Sequence, residues 1–354
     1  MTSACIIGIR GYSDSGKTTL IEKALPELKR AGLYVGVLKH AHHGLKLDSD
    51  DKDTSKFYKA GADFIFAHDP GQGFARCRCA YDDIWAALNN FPSGLDLILV
   101  EGHKHAEIPH IRLVSKTDAN PKPADSNETN LLDRDDPQYV ERFLEFVHAE
   151  LKRQFSERRV RAGLLIGGKS SRMGTAKHLL EIGGETLLER SFRILSSVAE
   201  KTLLLGSADM SASPGTADRL PDVNGSQGPM AGMLGAFRWD PESSWIISSV
   251  DMPFMNEEAW RWLLAQRRPG VWAVMPRINA NSPAETTGAC YEPMIFEEFE
   301  SLRRKGIFKL QQIVSHPKVI CPIIPEHLAH AWTNVNTPEE WKKAIAASVQ
   351  RERT

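Results

Sequence analysis

Short apolar runs alternate with amphipathic stretches along the first third of the chain. Residues 4–9 (ACIIGI), 33–38 (LYVGVL), 63–67 (DFIFA), 95–100 (LDLILV) and 108–114 (IPHIRLV) predict strands. Residues 17–31, 53–60 and 81–90 predict helices, the first stopped by Gly32. A run as apolar as LILV suits a parallel sheet with helices on both faces. Residues 117–136 break the pattern with Pro, Asn and Asp and few large apolar groups, which predicts a linker or long loop. A helix is expected over 137–158, where Tyr139, Phe143, Phe146, Val147, Leu151 and Phe155 fall roughly at helical spacing. The strand pattern restarts at Arg161 and recurs at 201–206, 245–250 and 271–276, with helical stretches at 185–197, 230–238, 256–267 and 293–303. Each series opens on its own glycine-rich loop, and the two loops differ in kind. The reading is two unlike α/β domains, each of three layers, rather than a duplication. Their expected bounds are 1–116 and 160–354, with a polar linker and connecting helix over 117–159.

A length of 354 residues fits two domains. With 42% hydrophobic and 25% charged residues the chain can bury ordinary cores, which excludes collagen-like and largely disordered classes. Lys and Arg number 44 against 45 Asp and Glu, so no bulk charge attracts nucleic acid and only local cationic sites remain. No apolar run reaches the length of a membrane span. The N-terminus reads as a strand entering a loop rather than a signal peptide, so a cytoplasmic protein is expected. Cys5, Cys77, Cys79, Cys290 and Cys321 are odd in number and irregular in spacing. Cys77 and Cys79 lack a second close pair to complete a tetrahedral zinc site, so incidental thiols in a reducing compartment are expected.

The first chemical signal is Gly11-Tyr12-Ser13-Asp14-Ser15-Gly16-Lys17-Thr18, which matches the P-loop pattern GxxxxGK[ST] between an expected strand and an expected helix. Its glycines let successive backbone N–H groups face phosphate oxygens at a helix N-terminus. Lys17 would reach the β/γ-phosphates and Thr18 would hold Mg2+. Gly11, Ser15, Gly16, Lys17, Thr18 and Thr19 form the candidate nucleotide-binding set. Glu101 ends the strand LDLILV, where a carboxylate faces the ligand crevice of an open sheet and can support Mg2+. The segment Lys39-His40-Ala41-His42-His43 reads either as a polar loop or as a positive, hydrogen-bonding patch for a phosphate or a partner. A metal site there is disfavoured, because no fourth ligand is implied.

The second signal is Leu164-Leu165-Ile166-Gly167-Gly168-Lys169-Ser170-Ser171-Arg172-Met173-Gly174-Thr175-Ala176-Lys177. It is neither a second P-loop nor a GxGxxG fingerprint. Backbone donors at Gly167 and Gly168, followed by Lys169, Arg172 and Lys177, can wrap a triphosphate and place positive charge at the phosphorus under attack. Asp251, after the apolar run 245–250, puts a hard oxygen ligand at a strand end. A cationic glycine loop with a strand-end aspartate is what nucleotidyl transfer requires, and no protein nucleophile is needed when the acceptor carries the attacking phosphate.

The segments GYSDSGKTTL, VLKHAHH, DTSKFYKAGAD and DLILVEGHKHAEIPHIRL, over about residues 4–115, resemble the MobB family, GTP-binding adapters of molybdopterin guanine dinucleotide synthesis. That resemblance implies a P-loop NTPase-like domain with weak GTP hydrolysis, often dimeric, with Glu101 supporting Mg2+. His40, His42 and His43 match the family's histidine loop, while His103 stands where members often have an aromatic residue. The segments GGKSSRMGTAKHLL, Gly228-Pro229-Met230-Ala231-Gly232, VDMPF and Asn334-Val335-Asn336-Thr337-Pro338, over about residues 160–345, resemble the MobA family of molybdenum cofactor guanylyltransferases. That implies a Rossmann-like nucleotidyltransferase domain joining GMP from GTP to the terminal phosphate of molybdenum-bound molybdopterin. By the same resemblance, Ile166, Gly167, Gly168, Lys177, Asp222, Gly228 and Asp251 bind nucleotide. Arg172, Lys177 and Asp251 are catalytic, Thr18, Glu101 and Asp251 hold Mg2+, and Asn334 and Asn336 meet the pterin. Ile166 replaces a usual Ala, Ala176 replaces a usual Asp, and Tyr291-Glu292-Pro293-Met294 resembles a later Pro-Leu segment loosely. The implied partners are molybdenum insertion proteins, molybdoenzyme apoproteins and their chaperones, with a homodimer through the N-terminal domain. Two other readings fit the residues: cytidylyl or sugar-phosphate nucleotidyl transfer by the same fold, and a non-catalytic nucleotide-binding adapter.

Overall fold

The structure, a computed structural model, describes residues 3–12, 15–40, 53–77, 83–115, 130–166, 177–206 and 217–351. The elements of the first half are β1 (Cys5–Arg10), α1 (Lys17–Arg30), β2 (Val35–Lys39), α2 (Asp53–Lys59), β3 (Phe64–His68), β4 (Gly73–Cys77), α3 (Ile84–Leu88), β5 (Leu97–Glu101), β6 (His110–Val114), β7 (Leu131–Asp133) and α4 (Tyr139–Ser156). Five of the strands form a parallel sheet in the order β2-β5-β1-β6-β7.

Strand alternation divides the apolar residues between two faces. Ile7, Ile9, Leu97 and Leu99 meet Leu20 and Leu28 of α1 and Phe143, Val147 and Leu151 of α4. Ile6, Ile98 and Val100 meet Ile84 and Leu88 of α3. The strand expected at 63–67 does form as β3, but it pairs antiparallel with β4 in a separate hairpin. The helix expected over 81–90 spans Ile84–Leu88 among the described residues, and Asp83 accepts a hydrogen bond from the Trp85 amide at its N-cap. The helix placed in the connecting stretch, α4, packs into the first core, and β7 adds an edge strand to the first sheet.

The second half contains β8 (Val160–Leu165), β9 (Glu181–Ile182), β10 (Glu185–Thr186), α5 (Leu187–Ser196), β11 (Lys201–Leu205), β12 (Arg219–Leu220), α6 (Pro229–Trp239), β13 (Ser244–Ser249), α7 (Glu257–Ala265), β14 (Ala273–Val274), β15 (Ala289–Tyr291), α8 (Phe296–Arg304), β16 (Val319–Ile320) and α9 (Pro338–Arg351). A seven-stranded sheet runs β12-β11-β8-β13-β15-β14-β16, with β15 antiparallel to both its neighbours. Leu164, Leu204 and Ile246 pack against α5 and α7 through Leu188, Leu195, Trp260 and Leu263. Leu203, Leu205, Trp245 and Ile247 pack against α6 and α8 through Met233, Phe237 and Phe299. Both halves are therefore three-layer α/β units, as the alternation of the sequence implies.

The two sheets meet at the N-terminal ends of their parallel strands. Asp96, just before β5, accepts hydrogen bonds from the Tyr34 amide (2.7 Å) and from Trp272 Nε1 (2.7 Å), just before β14. Lys318, just before β16, pairs with the same carboxylate, and both side chains are almost wholly buried, at 4% and 1% exposure. Lys318 Nζ also donates to the Gly32 carbonyl and lies 4.3 Å from the Tyr34 ring centroid. A second cluster stands nearby. Arg158 donates to the Ser3 carbonyl (2.7 Å) and pairs with Glu292 (3.2 Å), which also pairs with Arg267 (2.6 Å). The C-terminal strand ends, where open α/β sheets hold their ligands, point away from this contact in both units.

Candidate functional site

The P-loop begins where β1 ends and leads into α1. Gly11 has φ 151°, and a Cβ there would come within 2.6 Å of Ser15 Oγ, so the loop's closure depends on glycine. Gly16, the N-cap of α1, has φ 91° in the left-handed region. Lys17 Nζ folds back over the loop, donating to the Gly11 carbonyl (3.4 Å), the Tyr12 carbonyl and Ser15 Oγ (3.3 Å). The lysine thus sits over the hollow that phosphates fill in such loops. Ser15 is buried, and Thr19 is exposed in the first turn of α1.

Sheet register brings Glu101 beside Ile9 of β1 and Lys39 of β2. Thr18 Oγ1 donates to Glu101 at 3.0 and 3.1 Å, and Lys39 Nζ approaches both Thr18 Oγ1 (3.2 Å) and Glu101 (3.3 Å). A hydroxyl and a carboxylate together at the mouth of a phosphate loop are hard oxygen donors that suit Mg2+ completed by phosphates and water. Of the expected histidine loop, His40 is described and its ring lies 4.6 Å from that of His103. His42 and His43 lie outside the described residues.

In the second half, Asp251 follows β13, Lys177 opens the turn Lys177–Leu179, and Asn336 precedes α9. These distant stretches converge. Lys177 Nζ donates to Asn336 Oδ1 at 2.7 Å and lies 3.6 Å from Asp251 Oδ2. The Val335 amide donates to the Asp251 carbonyl at 2.9 Å, tying the Asn-Val-Asn segment to the aspartate turn. Among the described residues, Asp251 Oδ1 is buried without a hydrogen-bond partner. A buried, unsatisfied carboxylate oxygen is costly unless something binds it, and a divalent cation answers that need. Glu340 accepts from the Asn336 and Thr337 amides (2.6 and 3.2 Å), while its own amide donates to Thr337 Oγ1 (3.2 Å). This reciprocal cap starts α9 and holds Asn336 at the cleft.

The other expected residues are placed less centrally. Asn334 is half-buried and Asp222 is exposed. Gly228 caps α6 with φ 60° ahead of Pro229. The Ile166 amide donates to the Leu205 carbonyl at 3.0 Å, and its side chain is buried in the core. Gly167, Gly168, Arg172 and Ala176 lie outside the described residues.

Glu285 is a residue the sequence reading passed over. It stands on the segment between β14 and β15, and burial pushes its carboxyl up to about 7, with the Asp251 charge adding to the effect. Neither a strand end nor a motif marks it. Its one sequence signal is an acid in the otherwise small and polar stretch NSPAETTGA.

Comparison with known proteins gives two separate matches. The family described as molybdopterin guanine dinucleotide synthesis protein B matches residues 6–133, and the MobA-like NTP transferase domain matches residues 162–319. The molybdopterin-guanine dinucleotide biosynthesis adapter protein of Haemophilus influenzae is 34% identical over 132 residues, which cover 33% of this chain and 67% of that protein. The probable molybdenum cofactor guanylyltransferase of Aquifex aeolicus is 25% identical over 183 residues, covering 52% of this chain and 89% of that protein. The molybdenum cofactor biosynthesis bifunctional protein of Synechocystis is 28% identical over 182 residues, covering 50% of this chain and 51% of that protein.

Proposed function

Because the chain belongs to the MobB adapter family through its N-terminal part and carries a MobA-like NTP transferase domain after it, we propose that it is a bifunctional protein of molybdenum cofactor biosynthesis. Its C-terminal part transfers GMP from GTP to the terminal phosphate of molybdenum-bound molybdopterin and releases pyrophosphate. Its N-terminal part binds a further GTP and serves as the adapter that passes the product towards insertion proteins, apoenzymes and their chaperones. It works in the cytoplasm, and no helix among the described residues is long and apolar enough to cross a membrane. A homodimer through the N-terminal part belongs to the same reading.

The observation that carries the transferase assignment is the meeting of Lys177, Asp251 and Asn336 from three distant stretches. An oxygen of the acceptor phosphate attacks the α-phosphorus of GTP, and the α–β bridging oxygen leaves with pyrophosphate. Lys177 supplies positive charge where negative charge grows on the α-phosphate and the leaving group. Asn336 holds Lys177 in that position, and with Asn334 it faces the acceptor. Gly167, Gly168 and Arg172 wrap the triphosphate, while Asp222 and Gly228 border base and ribose. Asp251 would hold Mg2+, which when bound neutralises the triphosphate and polarises the α-phosphate. In the other half, Thr18 and Glu101 would hold Mg2+ beside a nucleotide cradled by Gly11, Ser15, Gly16, Lys17 and Thr19.

Pyrophosphate release from purified protein with molybdenum-loaded molybdopterin, compared across GTP, CTP and ATP, tests this reading. GTP should be used in clear preference. Asp251→Ala should lower release by a factor on the order of a thousand, the scale of losing one strong electrostatic contributor, while GTP binding at the P-loop stays unchanged. Preference for CTP would reject the base assignment, and no turnover with any nucleotide would reject the transferase.

A further inference from the structure

A cavity of about 680 Å³ lies beside the P-loop, between the C-terminal ends of β2 and β5 and the start of α3. His40, Trp85, His103, Lys104, His105 and Glu107 contribute to its wall. None of these belongs to the nucleotide set described above. Its size is that of a small-molecule site, which typically spans some hundreds of cubic ångströms.

The wall offers three kinds of chemistry. Trp85 is 48% exposed and lines this concave surface, so an exposed aromatic side chain stands at its wall. Large apolar rings left open in a concavity are natural stacking platforms. Lys104 brings positive charge, and the imidazoles of His40, His103 and His105 bring N–H groups, both suited to a phosphate. Two carboxylates also line it: Asp83, which accepts from the Trp85 amide, and Glu107, which can accept from the paired N–H groups of a nitrogen heterocycle. The backbone here is also unusual. Gly102 has φ 103°, and a Cβ there would come 2.9 Å from His40 Cβ, while His103 has φ 46°, the one non-glycine residue at positive φ among those described. Such backbone persists where surrounding structure requires it, commonly at ligand sites.

The cavity also has a defined neighbour. Glu101, which accepts from Thr18, is followed directly by Gly102 and His103. A ligand in the cavity would therefore stand next to the metal end of a P-loop nucleotide, where its terminal phosphates lie.

We propose that this cavity is a second ligand site of the adapter half, which takes a phosphorylated pterin stacked on Trp85 with its phosphate towards Lys104 and the imidazoles. The proposal rests on the reading of the chain as a handler of molybdopterin, and it gives the adapter half a pterin site separate from the transferase cleft. The full chain, free of nucleotide, can be titrated calorimetrically with 6-hydroxymethylpterin monophosphate. Two binding events per chain are expected. Trp85→Ala should weaken one event by roughly tenfold or more, the loss typical of removing one stacking aromatic, and Trp85→Phe should largely keep it; Lys104→Ala should weaken the same event through the lost charge on the phosphate. Asn336→Ala should weaken only the other event. Binding that responds to Asn336→Ala but not to the cavity variants overturns the proposal and leaves the transferase reading standing. Absence of binding in every chain overturns both. Displacement of the cavity-bound probe by GTP in the wild-type chain but not in Lys17→Ala would show that the cavity holds the nucleotide base, which also overturns the pterin assignment.

Discussion

At neutral pH Glu285 stands near the middle of its titration, because burial and then the Asp251 charge raise its carboxyl to about 7. An unfolded glutamate ionises near 4.5. The folded state therefore binds the extra proton between those values, so stability is fully present below about 4.5 and declines as pH rises through 7. Glu285→Gln should remove that decline. In chelator-treated protein its thermal midpoint should exceed wild type at pH 8 and match it at pH 4, and an unchanged difference at the two pH values would contradict the linkage. The same residue marks a limit of reading chemistry from sequence. Asp251 is legible because it follows an apolar strand, and Lys17 because its glycines keep a fixed spacing. Glu285 reaches Asp251 only because the chain folds back between β14 and β15. The Asp251 Oδ1 left without a partner among the described residues, and the approach of Lys177 to Oδ2, are equally properties of the fold.

The elements were legible wherever one local rule decided them. LILV became β5 because both sheet faces are covered, and α1 ends at Arg30 with Gly32 following at φ 80°. Rules failed where pairing partners decide. Residues 73–77 (GFARC) carry no strand pattern of their own, yet they form β4 because β3 lies alongside. The helix α4 reads as a connector from its position, but its apolar stripe of Phe143, Val147 and Leu151 fills one side of the first core. Within α1, Pro26 interrupts an otherwise regular helix and is exposed. It withholds an N–H from the Glu22 carbonyl and crowds that carbonyl with its ring. Pro26→Ala removes both penalties without opening a cavity. It should stabilise the protein by about 1–3 kcal/mol, read as a higher denaturant midpoint at constant slope.

On the scale of the whole molecule, the contact between the halves is built from groups that tolerate no partial loss. Asp96 takes donors from Tyr34, Trp272 and Lys318, and burial lowers the Lys318 pKa even though Asp96 favours its charge. Removing one partner of a buried pair strands the other, at a cost of about 3–5 kcal/mol. Asp96→Ala should therefore split a single calorimetric unfolding transition into two, one for each half. A lone, merely shifted transition would show that the halves do not depend on this pair. None of it was visible in the sequence, since Asp96 and Lys318 are 222 positions apart.

The orientation of that contact has a wider effect. In each half the strands run from it towards the candidate nucleotide site, and at about 3.3 Å per residue a strand of five or six residues spans roughly 15–20 Å. Each site therefore stands at strand ends remote from the contact that joins the halves. Cofactor that passes between the two sites through solvent can be taken up by another copy. Mixing Lys17→Ala chains with Asp251→Ala chains should then restore product delivery that neither supports alone, and failure of the mixture to do so would mean that each chain serves only itself. In transport terms the halves act as two holders joined at their bases, one able to keep a molecule while the other is engaged elsewhere.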